Sequence, residues 1–305
     1  MHSNQKTFTT PYNDVIFKAI FGKEGDKGPL MSLLSSIMDL PIESFNDLIL
    51  LNTELLPDSI DQKVSRLDLL LKLKDQTEID VEVQVVDHIA YKERVLYYWS
   101  KMYGKTIEKG KFFNALKKCV VINIIYFVMF DSPRMHTKFQ VLETIDHNKF
   151  TDHLEIHVLE LSKLNAYNRD IESDLLIDWA EFLSLNSEEK LMDFKDRTDL
   201  PEGIIKAIEE FERIKDDPNL QMEAVSKQIA ILDYMQVIED ATNKGKAEGI
   251  VEGKAEGKAE GIEEGKAEGD LLAKYEIVKK MITRGLDFDL IADLTGLDLE
   301  TIEKL

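Results

Sequence analysis

Two neighbouring stretches place acids and an amide where they could hold a divalent ion. Between Arg66 and Lys74, leucines at 67, 69, 71 and 73 alternate with Asp68, Leu70, Lys72 and Lys74. Between Glu78 and Val86, Ile79, Val81, Val83 and Val85 alternate with Asp80, Glu82 and Gln84. A period of two puts each set on one side of a β-strand. Asp75-Gln76-Thr77 between them is a turn signal, so the two stretches form a hairpin. For both aliphatic rows to face one core, paired residue numbers must sum to an even value, because a one-residue slip turns a strand over. Cross-strand charge favours Lys72 opposite Asp80 and Lys74 opposite Glu78, with a three-residue loop. Asp68 then lies opposite Gln84 and diagonal to Glu82. Hard carboxylate and amide oxygens so placed suit Mg²⁺, which takes one or two carboxylates and keeps several waters. The plainer alternative is the wet side of an antiparallel hairpin. Against it stand the isolation of Asp68 on a leucine-rich strand and the presence of Leu70 on the same face.

The following segment supplies positive charge. From Tyr91 to Lys118 there are eight basic residues against two acids, in a chain of net charge −20. Tyr91–Lys111 reads as a helix. Arg94, Tyr98, Lys101 and Lys105 fall at spacings of four, three and four on one face, with Val95, Trp99 and Met102 on another that packs inward. A basic stripe with an aromatic beside a carboxylate pair suits phosphodiester binding, with charge for the backbone and a cation near developing negative charge. A solvated charged face is the alternative.

At this point the sequence resembles a known family. Asp68, followed by Glu82-Val83-Gln84 on the next strand, is similar to the PD-(D/E)XK nucleases, and more narrowly to the recombination-promoting nucleases, also described as PD-(D/E)XK-family transposases. The resemblance extends to Asp14–Gly22, Arg66-Leu67-Asp68, Val81–Gln84, Arg94, Tyr97-Tyr98, Leu159–Leu164, the glycine–glutamate repeat and the Leu294–Leu297 ending. It implies a restriction-endonuclease-like α/β core, a mixed sheet flanked by helices, and Mg²⁺-dependent DNA cleavage. Asp68 and Glu82 would hold the metal. Gln84 sits where the superfamily most often has lysine, which leaves the cationic role to Arg94 or Lys101. Arg94, Tyr98, Lys101 and Lys105 would contact DNA.

The rest of the chain frames this site. At 305 residues, two domains are expected. The net charge argues against a surface built throughout for nucleic acid or anionic membrane. One cysteine, Cys119, excludes an internal disulfide, no apolar leader opens the chain, and the longest apolar run, 119–130, is too short to cross a bilayer. A cytoplasmic protein is expected. Helices are predicted at Asp14–Phe21, with Asp14 as cap, and from Pro29 to Asp39, and buried strands at Val120–Phe130 and Leu154–Leu161. Asp14 and Lys18 could approach the site, although capping and surface placement explain them equally well. His153 and His157, four apart on a strand, are not a metal pair.

The organisation read from texture is a nuclease-like domain over 1–165, a helical extension over 166–243, a repeat over 244–270 and a small helical module over 271–305. In the repeat, glycine recurs at every fourth residue from Gly245 to Gly269. Each interior glycine costs a helix about 0.8–1 kcal/mol, and the i,i+4 neighbours are mostly like-charged. A flexible acidic spacer is therefore favoured over a helix with a glycine stripe. The last module mimics helix-turn-helix, but Asp298, Glu300 and Glu303 would repel phosphate, so an interaction module that could assemble oligomers is the better reading. Two functions stand: a Mg²⁺-dependent DNA endonuclease, or a non-cleaving scaffold that binds DNA or protein through a nuclease-like domain.

Overall fold

The computed structural model describes residues 8–55, 65–88, 90–165 and 171–305. It falls into two units, 1–235 and 236–305. In chain order the first unit begins with α1 (Asp14–Phe21), α2 (Gly28–Met38), β1 (Ile49–Leu51), β2 (Glu54–Leu55), β3 (Ser65–Arg66), β4 (Leu69–Lys72), β5 (Glu78–Gln84), α3 (Tyr91–Lys105) and β6 (Cys119–Ile125). It continues with β7 (His136–Leu142), β8 (Lys149–Glu160), α4 (Asp174–Leu183), α5 (Glu188–Lys195), α6 (Glu202–Lys215) and the start of α7 (Pro218–Thr283). Among the described residues, strands β2 and β3 pair only with each other; the other six form one mixed sheet in the order β1-β4-β5-β6-β8-β7. β5, β6 and β8 run parallel, and the remaining pairs are antiparallel. This is the expected fold class, a mixed sheet flanked by helices.

Both faces of the sheet are covered. On one, Leu69, Leu71, Ile79, Val81, Val120 and Ile122 join side chains of α1, α2, α4 and α6 in a single large core around Trp179. Each such side chain, fully buried, contributes about 1.5–3 kcal/mol. Helices α4 to α6, read from sequence as an extension, thus share the core of α1 and α2. Gly203 is required there: a Cβ would collide with Ser32, whose hydroxyl accepts a hydrogen bond from the Trp179 indole at 3.2 Å. On the other face, Tyr91, Val95 and Met102 of α3 pack on Leu70, Val121, Ile156 and Val158. The face that a wet-hairpin reading leaves to solvent is roofed by α3.

The hairpin register differs from the sequence expectation by one residue pair. Leu70 faces Asp80, and Lys72 faces Glu78. The parity argument holds, because the numbers still sum to an even value, but Lys74 pairs with Asp47 instead of Glu78. The turn explains the shift. Asp75 accepts a hydrogen bond from the Thr77 amide, Gln76 takes a left-handed conformation (φ 70°), and Leu73 donates to the Thr77 carbonyl. The three-residue loop is thereby Lys74–Gln76. Lys72–Glu78 at 3.3 Å restores one charge pair, and Asp80 is left buried against leucine. The first strand also breaks at Leu67-Asp68, which sends Leu67 into the α3 core and not into the row of Leu69 and Leu71.

Other boundaries move for local reasons. Asn13, not Asp14, caps α1 through its side chain. α3 ends at Lys105 and the strand after it at Ile125. β1, β7 and α5, short or largely exposed elements, carry too little periodicity to be expected.

The repeat is helical, contrary to the spacer expectation: Gly245–Gly269 lies within α7. No proline interrupts it, its other residues are mostly alanine, lysine and glutamate, all good helix formers, and elongating an existing helix needs no new nucleus. The second unit is completed by α8 (Phe288–Thr295) and α9 (Leu299–Glu303), with a core of Val278, Ile291 and Ile302. Gly285 and Gly296 end helices in the left-handed region, and Asp298 caps α9, as the spacing predicts.

Candidate active site

The break in the first strand turns Asp68 toward β5. With the observed register carried one residue further, Asp68 falls beside Glu82 itself. The Asp68 amide donates to Glu82 Oε1 at 3.2 Å, and Asp68 Oδ2 accepts from the Val83 amide at 2.9 Å. The two carboxylates are therefore clasped across adjacent strands, each held by the other's strand, closer than the diagonal placement expected from sequence.

Gln84 follows on the same face. Its amide oxygen accepts from Arg94 of α3 at 3.0 Å, and its amide nitrogen donates to the Val86 carbonyl. A cleft of ≈ 290 Å³ opens over these groups, lined by Asp68, Glu82, Gln84, Arg94 and Tyr98 together with Asp14 of α1. Of the expected site residues, five thus line one cleft. Lys101, whose ammonium lies 5.6 Å from the Tyr97 ring centre, and Lys105, at the end of α3, lie further along the helix and do not line it.

The electrostatics show a surplus of negative charge. Burial, and then the neighbouring Asp68 charge, push the Glu82 carboxyl up to about 8. Asp80, one strand position pair below Glu82, is raised well above the ordinary range by burial, then by Glu82 and Asp68. Its Oδ1 is buried without a hydrogen-bond partner among the described residues. A buried polar atom left unpaired costs about 1–3 kcal/mol. Lys18 of α1 partly offsets the surplus, with its ammonium 2.7 Å from Asp68 Oδ1. Next to Glu82, Asn123 of β6 accepts from the Tyr91 hydroxyl at 3.0 Å and donates to the His157 carbonyl, a structural role as its sequence setting suggests.

Asp68 and Glu82, held side by side over the cleft, offer the one or two carboxylates that Mg²⁺ takes. Among the described residues, no cluster of three or more acidic, histidine or cysteine side chains is placed to hold a metal ion. Lys18 holds the oxygen of Asp68 that such an ion would use, but its side chain is 35% exposed and has solvent into which to withdraw.

The decisive comparison concerns the whole unit that carries this cleft. A family model for the PD-(D/E)XK nuclease family transposases matches residues 11–241. The chain belongs to that family. The match runs from near the start of the first described segment into α7 and includes every cleft residue named above. Comparison with curated proteins and with solved structures gave no match. Membership of a nuclease and transposase family indicates a nuclease- or transposase-type function, with DNA as the implied substrate.

The sequence reading does not pick out Asp80, which lies behind Glu82, nor Tyr12 and Lys227, which line the cleft. Charge matching pairs Asp80 with Lys72, whereas the structure sets it opposite Leu70; its shared parity with Glu82 and Gln84 is the available signal. Of the two expectations for Lys18, approach to the site or surface placement, the first holds: its ammonium lies 2.7 Å from Asp68 Oδ1. Its spacing of four from Asp14 puts both away from the apolar face of Val15, Ile16 and Ile20; Asp14 lines the cleft, and Lys18 reaches Asp68. His153 and His157 have different partners: His153 bonds Tyr103, and His157 bonds Glu155 and His136. Among the described residues, no helix is long and apolar enough to cross a membrane.

Proposed function

We propose that the chain is a Mg²⁺-dependent DNA endonuclease whose metal is held by Asp68 and Glu82. The observation that supports this most is the clasped, charge-deficient carboxylate pair, with Glu82 raised to about 8 beside an unpartnered Asp80 oxygen. When bound, Mg²⁺ polarises the scissile phosphate and makes a nearby water more acidic. The chain's own residues do the remaining work. The Val83 amide fixes Asp68, and the Asp68 amide fixes Glu82, so neither ligand has to reorganise. Gln84 cannot carry charge; it aims the Arg94 guanidinium into the cleft, where Arg94 offsets negative charge on the phosphate oxygens. Lys18, 2.7 Å from Asp68 Oδ1, is a second cation beside the carboxylate pair. Tyr98, Lys101 and Lys105 continue the surface of α3 along which the DNA backbone lies.

Plasmid nicking in Mg²⁺ tests the reading. The wild-type chain is expected to convert supercoiled DNA to open circle, and Asp68→Ala to lose this by on the order of 10²–10³-fold with unchanged circular dichroism. Equal nicking by that variant overturns the assignment of Asp68.

The ion pair between Lys18 and Asp68, with glutamine at the usual lysine position, favours one other reading: a nuclease-like domain that binds DNA without cutting it. Salt-sensitive DNA retention with no cut product in Mg²⁺ or Mn²⁺ would select it.

A further inference from the structure

Among the described residues, the most solvent-exposed large apolar side chains are Phe112 at 86% and Phe113 at 85%. They sit side by side on the loop between α3 and β6, where burying them against the protein would have been the ordinary outcome. The loop is also the most basic stretch of the molecule. From Lys105 to Lys118 it carries five lysines against Glu108. Lys118 is tied to Glu155 at 3.1 Å. Lys105, Lys109 and Lys111 are exposed and make no ion pair among the described residues. Gly110, at φ +86°, turns the chain sharply between the last two, so the phenylalanines project from a lysine-flanked tip.

A second exposed apolar pair makes a useful contrast. Ile145 and Phe150, 81% and 82% exposed, mark the hairpin joining β7 to β8. It leaves the sheet at the same end, because Cys119 pairs with Leu154. That hairpin carries Glu143, Asp146 and Asp152 against Lys149, a composition that repels phosphate. Exposure is alike in the two; charge is not.

We infer that Phe112 and Phe113 form a wedge that enters a base step of duplex DNA while Lys105, Lys109 and Lys111 hold its phosphates. Apolar side chains inserted in this way unstack and kink a duplex. The inference rests on the DNA-binding reading of α3, whose basic face leads from the cleft to this loop. From Arg94 to Lys105 the helix advances about 16 Å, close to five base-pair rises. The wedge therefore meets the duplex roughly half a turn or more from the phosphate held at Asp68 and Glu82. A kink there would present a deformed backbone to the cleft and favour flexible steps.

The test uses the full-length chain in EDTA, so that cutting plays no part, with 30-base-pair duplexes carrying 2-aminopurine at successive positions. Wild type is expected to brighten the probe at one step, and Phe112→Ala/Phe113→Ala to abolish that signal and weaken binding roughly ten-fold. Phe112→Trp/Phe113→Trp should restore the signal. Lys109→Ala/Lys111→Ala should weaken binding on every sequence and reduce the salt slope by about two. Phe150→Ala should change neither readout. The wedge is overturned if the double alanine variant binds and brightens the probe like wild type, or if its only effect is on self-association or vesicle binding. A wild type that nicks plasmid but never brightens the probe removes the wedge alone. A wild type that binds no DNA removes the wedge and the endonuclease reading together.

Discussion

Two groups of buried acids occupy opposite faces of the same sheet, and their neighbours treat them in opposite ways. On the face toward α1 and α2, Glu155 of β8 is surrounded by donors: His157 at 2.9 Å, Lys138 at 2.9 Å, Lys118 at 3.1 Å and Gln140 at 3.0 Å. Burial by itself would raise its carboxyl, but hydrogen bonds from His157, Lys138 and Lys118 outweigh that and hold it well below the ordinary range. On the α3 face, Asp80 is as enclosed as Glu155 and Glu82 less so; around Glu82 the Asp68 amide, Arg94 and Lys18 do not outweigh burial and the Asp68 charge, and its carboxyl is raised. The local structure brings enough positive charge to one acid and too little to the others. An acid whose counter-charges come with the fold contributes to architecture; acids left short of them wait for a cation from outside.

Exchanging acid for amide on each face gives the largest expected effects, and they should cross over. Glu82→Gln should lower nicking in Mg²⁺ by on the order of 10²–10³-fold while leaving the melting temperature equal to or above that of wild type, since it removes an uncompensated charge. Glu155→Gln should do the reverse, costing about 2–3 kcal/mol in denaturant unfolding with nicking retained wherever the protein is folded. If both variants lose activity and stability in the same proportion, the two faces do not differ in kind.

Metal should act on one face alone. Mg²⁺ at about 100 times its Kd would add about 2.7 kcal/mol to wild-type stability and far less to Glu82→Gln. The pH dependence sharpens this further. Glu82 moves from an ordinary value of 4.5 in the unfolded chain to about 8 in the fold, so the fold takes up a proton between these values. Metal-free stability is then greatest below pH 4.5 as far as this group is concerned, falls as pH rises toward about 8, and levels off above. Added Mg²⁺ or Glu82→Gln should flatten that fall in a thermal-melt series.

The histidines behind Glu155 act in the opposite sense, with a smaller effect. His136 is lowered from 6.5 to about 4 by burial, then by the charges of His157 and Lys138, and His157 is lowered mainly by burial. The contribution of His136 is present above pH 6.5 and is lost as pH falls toward 4, and the lowering of His157 acts in the same sense. His136→Gln should soften that acid limb and leave the alkaline one as it is.

This contrast also explains what could be read from sequence and what could not. Asp68, Glu82 and Gln84 were legible because strand parity alone puts the last two on one face and a lone acid in a leucine row is conspicuous. Arg94 and Tyr98 followed from helical spacing. The partnership of Asp68 with Glu82 depended on where a three-residue loop closes, and that was settled by one Asx hydrogen bond and a left-handed glutamine at position 76. Charge matching gave the wrong pairing because it assumed Asp80 would seek a lysine, when its place is under α3. Helical spacing puts Lys18 on the same side of α1 as Asp14, but that its partner is Asp68, distant in sequence, is decided by the tertiary fold. The network around Glu155 rests on β7, a largely exposed strand with no clean alternation. The helical repeat escaped for a different reason: its glycines and like charges penalise an isolated helix, whereas the flanking segments had already nucleated one.

Cys119 opens β6, wholly enclosed between the carboxylate face and its neighbours, and burial, followed by the Glu78 charge, pushes its thiol up to about 12. No other cysteine exists in the chain. A thiol reagent can therefore combine with the native protein only during the moments when the central strand comes undone. The rate of labelling is a clock for that opening, already installed at the middle of the sheet, and any slowing of it by metal or DNA would report on the cleft without a single residue being changed.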